Sequence, residues 1–351
     1  MDVSLFDFDL PDSHIALRPI SPRDNARLLV VHGDGTLEHR HIRDLPEYVR
    51  AGDTMVVNDS KVLLARLRGY RMHAGSTGNP AKIELLLHRR LSAARFSALA
   101  RPARKLAVGD DLTLGQLIAA VIARDASGGV EVEFSLSGEA LDAAIAKEGE
   151  VPLPPYIANK RPADFQDRVD YQTLFARDLG SVAAPTAGLH FTPQLLQRLT
   201  EMGVHREEVT LHVGLGTFQP VAMSDTSDHR MHSEWARIPT DIAGRLNQLR
   251  AKGGRLLACG TTVLRTLESA VDAAGTIRPL EGETDIFITP GHRFRTADML
   301  LTNFHLPRST LFMLTSAFMG LDLMRHAYKE AIARDYRFYS YGDACLLIRP
   351  S

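Results

Sequence analysis

The chain has 351 residues, a length that favours two domains because single cores rarely grow so large. Hydrophobic residues make up 44% and charged residues 24%, which excludes a disordered low-complexity chain. The two cysteines exclude a disulfide scaffold and are typical of a reducing compartment. The acidic start MDVSLFDFDLPDSH predicts no secretory signal, and no apolar run is long enough to span a membrane, so we expect a cytoplasmic protein without a membrane partner.

Residues 1–60 mix short elements. RLLVV at 27–31 predicts a buried strand, and the HGDG after it predicts a turn. TMVVNDS at 54–60 predicts a second strand that ends in a polar turn.

Residues 61–150 have a different character, with short predicted strands separated by turn residues. The strands are VLLARLRGYRM, KIELLLHRR, RFSALARPA, LIAAVIARD and VEVEFSL. VEVEF alternates apolar and charged residues, as a strand with one wet face does. Such a series predicts a small antiparallel β-barrel inserted in the chain.

This segment is also basic. Between Lys61 and Asp110 there are eleven Lys and Arg against two acidic residues, a net charge of +9, which leaves −10 for the rest of the chain. A basic block within an acidic chain is typical of a nucleic-acid contact surface, although a solvated basic strand surface fits equally well.

Residues 151–351 alternate strands and helices after the proline-rich VPLPPYI, which predicts an extended crossing back to the first domain. Predicted helices are TPQLLQRLTEMG, DIAGRLNQLRAKGG, TTVLRTLESAVDAA and STLFMLTSAFMG. Predicted strands are REEVTLHVGLGTF, RLLACG, TDIFIT and ACLLI. This alternation predicts an α/β domain with a partly parallel sheet, formed by 1–60 and 151–351.

Polar side chains occur in four small-residue loops where these strands pass to helices. The loops are SVAAPTAGLHFTP with His190, LHVGLGTFQPV with His212, CGTTVLRTLES with Arg265, and LLTNFHLPRST with His305. Open α/β sheets bind ligands at such strand ends, so we expect the loops to converge on one site. SYGDA adds Asp343.

Common motifs are missing from these loops. The sequence has no P-loop, no complete dinucleotide fingerprint and no GxSxG elbow. The paired histidines HRH at 39–41 and HRMH at 229–232 lack a second pair at zinc spacing, so we expect no metal. Each loop residue also has a plain structural explanation: Arg265 and Glu268 as a helix salt bridge, Asp343 as a turn aspartate, and His190 as a core or capping histidine.

Longer stretches resemble one family, the S-adenosylmethionine:tRNA ribosyltransferase-isomerases of queuosine biosynthesis. The matching stretches span nearly the whole chain: FDFDLPDSHIALRPISPRDNARLLV, PLPPYI, YQTLFA, GSVAAPTAGLHF, VTLHVGLGTFQPV, MHSEWARIP, CGTTVLRTLES, TNFHLPRSTLFML and YRFYSYGDA. The sequence departs from the usual family residues at Lys61, Leu64 and Thr289 among others; the change at Lys61 bears on a phosphate or substrate contact, the others on packing.

The resemblance implies an α/β sandwich catalytic domain with an inserted six-stranded antiparallel barrel. It implies that the ribosyl part of S-adenosylmethionine is transferred to the aminomethyl-deazaguanine base (preQ1) at the tRNA wobble position and isomerised, which gives epoxyqueuosine-tRNA, adenine and methionine. S-adenosylmethionine is then a consumed substrate, no further cofactor is expected, and the family suggests a monomer.

Under this resemblance we expect His190, His305 and Asp343 to share the acid–base roles. Thr261, Thr262 and Arg265 would hold the methionine carboxylate at a helix N-terminus, and Glu268 would position or pair with Arg265. The other expected substrate-binding residues are Thr186, Gly188, Phe191, His212, Gly216, Phe218 and Asn303, with Phe191 or Phe218 stacking adenine or facing the sulfonium.

The expected tRNA contacts lie in the basic block. They are Lys61, Arg66, Arg68, Arg71, Arg101, Arg104 and Lys105. Two alternatives stay open: a tRNA methyltransferase that uses the same methionine compound, and a non-catalytic RNA-binding protein.

Overall fold

Apolar runs of the sequence form the central strands of a nine-stranded mixed sheet in this computed structural model, which describes residues 1–72, 80–125, 129–214 and 221–350. The sheet order is β15-β13-β12-β3-β14-β16-β17-β1-β2. The strands are β1 Arg27–His32, β2 Leu37–His41, β3 Thr54–Asn58, β12 His205–Leu211, β13 Glu234–Ile238, β14 Leu256–Cys259, β15 Leu280–Thr284, β16 Met299–Asn303 and β17 Ala344–Ile348.

Helices cover both faces of this sheet. They are α4 Pro193–Glu201, α5 Thr240–Ala251, α6 Thr261–Ala270, α7 Thr310–Met319 and α8 Leu321–Ala333. Side chains alternate across each strand. Leu28, Val57 and Leu257 belong to the core cluster that includes Leu195 of α4, while α6 buries Val263 and its neighbours against β12 and β14. The result is the predicted α/β sandwich.

The basic segment forms the predicted closed antiparallel barrel, with order β10-β7-β6-β5-β8-β9. Its strands are β5 Arg66–Met72, β6 Ala81–Arg90, β7 Arg95–Arg101, β8 Asp111–Leu114, β9 Leu117–Arg124 and β10 Gly129–Phe134, and α1 Gly138–Glu148 follows. Strands β4 Ser60–Val62 and β11 Asp178–Ser181 pair separately, and α2 Pro155–Ala158 and α3 Asp167–Asp170 are short helices.

The chain divides into two compact units. The first, which we call the catalytic unit, contains residues 1–60, 172–178 and 184–351, and the second, the barrel unit, contains 61–171 and 179–183. The barrel unit thus continues beyond residue 150, the end expected from the proline-rich segment.

Several element predictions were wrong. TDIFIT is not a strand; β15 precedes it as an edge strand of mostly polar residues, which carries little apolar pattern. The VPLPPYI segment is not extended throughout, because Pro155 starts α2 at a helix position that tolerates proline. Strand β8 is missing from the predicted strands, and only its first residue, Asp111, lies in the predicted turn KLAVGDD.

Candidate active site

The carboxyl ends of four neighbouring strands meet at one edge of the large sheet. Strands β12, β3, β14 and β16 are parallel to one another in that order. They deliver His212, Asp59, Gly260 and His305 just beyond their last residues. Three of the four polar loops, those with His212, Arg265 and His305, therefore reach a common edge, where parallel sheets bind ligands.

Antiparallel neighbours add residues to this edge from their starts. Asn303 pairs with Ala344, so Asp343 precedes β17 beside the end of β16. Leu211 pairs with Ala236, so Glu234 begins β13 beyond the end of β12. At about 4.8 Å per strand, the ends of β12 and β16 are roughly 14 Å apart.

The 3-10 turn Thr186–His190 packs against the same edge. It contacts β16, and a Cβ added at Gly260 would lie 3.4 Å from the Cβ of Ala187. Asn303 connects this turn to the sheet: its Oδ1 accepts a hydrogen bond from Thr186 Oγ1 at 2.9 Å, and its Nδ2 lies 3.2 Å from His190 Nε2 and 3.1 Å from the Tyr339 carbonyl oxygen.

His190 is a buried imidazole at the wall of a small cleft. Its side chain is buried, and it lines the cleft together with Arg23, Ser340 and Tyr341 among others. Burial, and then the positive charges of Arg23 and Arg337, lower the pKa of His190 to about 3. The ring is therefore neutral at pH 7.

His305 is the second buried imidazole at this edge. Its Nε2 lies 2.8 Å from Thr302 Oγ1, and its backbone N–H donates to Tyr328 Oη at 3.0 Å. Burial alone lowers its pKa to about 3. Both candidate histidines are thus neutral, which is the form that accepts a proton or donates a neutral hydrogen bond.

Helix α6 begins at the centre of the edge. Gly260 precedes it with φ 104°, a conformation that favours glycine, and Thr261 and Thr262 form its first turn. Both threonines are buried, and no residue that the structure describes hydrogen-bonds Thr262 Oγ1. The first N–H groups of a helix also have no partner within it, so this end of α6 presents donors.

Arg265 lies one turn further along α6 and is 3% exposed. Its Nη1 forms a buried ion pair with Glu234, while Nε and Nη2 have no hydrogen-bond partner among the described residues. Helical side chains lean toward the N-terminus, so the guanidinium lies on the side of the first turn. A buried guanidinium with two unused donors is costly unless an anion completes it.

The expected Arg265–Glu268 pair does not form. Glu268 instead accepts hydrogen bonds from the backbone N–H of Thr296 at 3.0 Å and that of Arg295 at 3.2 Å, and it lies 3.1 Å from His292 Nε2. The carboxylate therefore anchors the 292–296 segment to α6. Arg265 instead pairs with Glu234 on β13. A local i, i+3 pattern cannot predict a contact between residues so distant in sequence.

The carboxylate of Asp343 likewise accepts hydrogen bonds from within the protein. It accepts the backbone N–H of Arg27 at 3.0 Å and that of Arg337 at 2.8 Å, and its side chain is 3% exposed. These bonds join β1 to the 337–343 loop. The contacts correspond to the structural alternative for this residue, and they leave the acid–base expectation without support.

Two other expected binding residues have packing roles. Phe191 is 2% exposed in the core cluster, with its ring centroid 5.5 Å from that of Phe175, so it offers no face to adenine. A Cβ on Gly188 would meet Thr173 Cγ2 at 3.0 Å, so this glycine permits close packing. Gly216 and Phe218 lie outside the described residues.

His212 stacks on Trp235 with ring centroids 5.2 Å apart and an interplanar angle of 18°. Its Nε2 lies 3.5 Å from Asp178, whose other oxygen accepts from Arg237 at 3.2 Å. Burial lowers the pKa of His212 despite this carboxylate. Next to it, burial raises the pKa of Asp59, which accepts a hydrogen bond from Thr210 Oγ1 at 2.8 Å.

Within the barrel unit, the expected tRNA-contacting cations fall into two groups. Three of them are ion-paired: Arg66 with Glu84, Arg68 with both Glu84 and Glu150, and Arg71 with Asp110. Lys61, Arg101, Arg104 and Lys105 are exposed and have no acidic partner among the described residues. The last three lie within the segment RPARK at 101–105, which we call the RPARK loop.

The described residues form neither a metal-binding cluster nor a membrane-spanning helix. In the described ranges, no three His, Cys, Asp or Glu side chains are grouped so as to hold a metal ion. None of the helices formed by those residues has the length and apolar character needed to cross a membrane.

Sequence reasoning missed two residues of this site. Glu234 lies in MHSEWARIP and is buried. The strand pattern does not mark it as a site residue, because its partner Arg265 lies on a different element. Arg23 precedes β1 and lines the His190 cleft, but nothing in its local sequence marks it.

Comparisons with known proteins agree over nearly the full length. The family profile described as "Queuosine biosynthesis protein" matches residues 3–347. The S-adenosylmethionine:tRNA ribosyltransferase-isomerase of Bradyrhizobium sp. (strain BTAi1) is 58% identical, covering 99% of this chain and 98% of its own length. That of Caulobacter vibrioides is 54% identical with 99% of both chains covered. The crystal structure of S-adenosylmethionine tRNA ribosyltransferase from Thermotoga maritima is 35% identical, with a TM-score of 0.55 and 98% and 100% coverage.

Proposed function

This chain belongs to the queuosine biosynthesis protein family, and we propose that it is an S-adenosylmethionine:tRNA ribosyltransferase-isomerase. It transfers the ribosyl group of S-adenosylmethionine to preQ1 at the tRNA wobble position and isomerises it. The products are epoxyqueuosine-tRNA, adenine and methionine. The methionine compound is consumed as a substrate, and we propose no separate cofactor.

The observation that carries this proposal is the Arg265 guanidinium, whose Nε and Nη2 donors have no hydrogen-bond partner among the described residues. S-adenosylmethionine carries an amino-acid carboxylate, and a carboxylate is the anion that an arginine fork binds best. Nε and Nη2 of Arg265, the Thr262 hydroxyl and the first N–H groups of α6 together supply donors for it. Glu234 holds the guanidinium from its other side.

The acid–base chemistry is assigned to the two neutral histidines. The sulfonium acidifies the adjacent ribose carbon, so a base can remove a proton there. Adenine then leaves with the help of a hydrogen-bond donor, the preQ1 amine attacks after losing its proton, and methionine departs. His190 and His305 share the donor and acceptor roles, while Asp343 positions the loop that borders the His190 cleft.

The tRNA partner is proposed to bind the barrel unit through the RPARK loop and Lys61. These cations are exposed and carry no acidic partner among the described residues, so phosphates can neutralise them. Arg66, Arg68 and Arg71 are already neutralised by carboxylates and contribute less. The enzyme is proposed to act as a cytoplasmic monomer.

A turnover assay tests the function. The full chain is incubated with S-adenosylmethionine and preQ1-bearing tRNA, the tRNA nucleosides are identified by mass spectrometry, and free adenine is measured. Adenine release in step with an epoxy-modified nucleoside supports the proposal. A methylated nucleoside with S-adenosylhomocysteine would mean a methyltransferase, and tRNA binding without any conversion would leave the RNA-binding alternative. Glu234→Gln/Arg265→Met, compared with Glu234→Gln in the same assay, tests the carboxylate anchor.

A further inference from the structure

The amide of Asn303 has only one orientation that satisfies its neighbours. The carbonyl oxygen of Tyr339 is purely an acceptor, so the Asn303 atom 3.1 Å from it must be the NH₂ group. The other amide atom is then the oxygen, and it accepts the hydroxyl proton of Thr186 at 2.9 Å. The Tyr339 carbonyl alone fixes this orientation, because the Thr186 hydroxyl can either donate or accept.

This orientation determines the state of His190. The second proton of the Asn303 NH₂ group points to His190 Nε2 at 3.2 Å, so Nε2 must be an acceptor and carries no proton. A neutral imidazole holds one proton, which is therefore on Nδ1. No described residue hydrogen-bonds Nδ1, and the ring lines the cleft beside Arg23 and Tyr341.

We propose that Asn303 is a positioning residue that locks His190 in the Nδ1–H tautomer, so that His190 meets the substrate as a hydrogen-bond donor and not as a proton-abstracting base. This inference rests on the proposed function for its catalytic meaning. It changes the expected role of Asn303 from substrate contact to tautomer control. Of the two candidate histidines, His305 is then the one whose tautomer is not fixed by a side-chain amide.

A cleft with a fixed neutral donor beside a guanidinium suits an acceptor-rich group. Purine ring nitrogens and base carbonyl oxygens are such acceptors, whereas a cationic amine is not, because Arg23 would repel it. The departing adenine, which gains electron density as its glycosidic bond breaks, is the part of the substrates that such a donor would stabilise.

The tautomer is measured directly by nuclear magnetic resonance of the full chain with ¹⁵N-labelled histidine imidazoles at pH 7. The His190 signals are assigned by their loss in His190→Gln. We expect Nε2 in the unprotonated range and Nδ1 in the protonated range. Asn303→Asp replaces the donor with an acceptor and is expected to reverse the pattern, while Asn303→Ala gives a mixture. Thr186→Val keeps the wild-type pattern, because the Tyr339 carbonyl still fixes the amide.

Wild-type protein with a proton on Nε2, or an Asn303→Asp variant with an unchanged pattern, would overturn the proposal whether or not the enzyme turns over. Kinetics test the role: both Asn303 variants should lower kcat by about 100-fold or more while KM for S-adenosylmethionine stays within about twofold. A raised KM with unchanged kcat would instead make Asn303 a binding residue.

Discussion

The donors left over on Arg265 predict a specific energetic link to one group of the substrate. Removing Arg265 alone would take the counter-charge away from the buried Glu234 carboxylate, at a cost of about 3–5 kcal/mol in stability. The informative comparison is therefore between Glu234→Gln and the double variant Glu234→Gln/Arg265→Met. Both variants lack the buried carboxylate, and they differ only in the guanidinium.

Each hydrogen bond from Arg265 to a carboxylate contributes about 1.5–3 kcal/mol. The double variant loses both leftover donors, so S-adenosylmethionine binding should weaken by at least the roughly 10- to 150-fold that corresponds to one such bond. Isothermal titration calorimetry gives both dissociation constants. Decarboxylated S-adenosylmethionine is the matched ligand: it should bind the two variants equally, because it has no carboxylate to lose.

The reasoning would be refuted if the double variant lost the same affinity for both ligands, since Arg265 would then support the site without contacting the carboxylate. An unchanged dissociation constant for S-adenosylmethionine would refute it as well, and would leave the buried guanidinium unexplained.

Three further outcomes are expected. Replacing the cations of the RPARK loop with glutamine should lower the slope of log K against log salt for tRNA binding by about 2–3. Because burial lowers the pKa of His190 and His305 to about 3, the unfolded chain binds more protons between pH 6.5 and 3, so the free energy of unfolding should fall by about 1.4 kcal/mol per pH unit per histidine in urea titrations below pH 6.5. Burial raises the pKa of the Cys259 and Cys345 thiols, so native protein should not react with iodoacetamide until it is unfolded in urea.

Each of these has a matched control. Glutamine at Lys252, Arg325 and Lys329 removes the same charge from exposed positions just after α5 and on α8, and should leave the salt slope unchanged. His190→Gln should flatten the pH dependence of stability, and an equally steep curve would contradict the assignment. Fast labelling of either cysteine at neutral pH without denaturant would show that its strand opens in the native state.

The sequence was a good guide where chemistry follows from local pattern. Buried apolar runs such as RLLVV and RLLACG became central strands, and small residues after them marked the loops at the sheet edge. Thr192 caps α4 as its position before Pro193 predicts, by accepting from Leu195 N at 3.2 Å.

The sequence was a poor guide where partners come from distant elements. Arg265 has an acidic residue three positions away, yet its partner is Glu234 on another strand, because burial of both groups outweighs the weak preference for i, i+3 pairs. Likewise, Arg68 is neutralised by Glu84, its register partner on the neighbouring strand β6, and charge counting cannot supply this pairing. The tautomer of His190 depends on the Tyr339 carbonyl, a backbone atom with no sequence signal.

The strand order also determines how late in translation the large sheet can be completed. Strand β17 lies between β16 and β1, and the bond from Arg27 N to Asp343 joins positions 316 residues apart. At 5–20 residues per second, a ribosome needs roughly 15 to 60 s to cover that distance. During this interval the six barrel strands, which are nearly continuous in the chain, can close, whereas β1 has emerged without one of its neighbours. The nascent catalytic unit therefore exposes an apolar strand edge throughout most of translation, a natural substrate for chaperones.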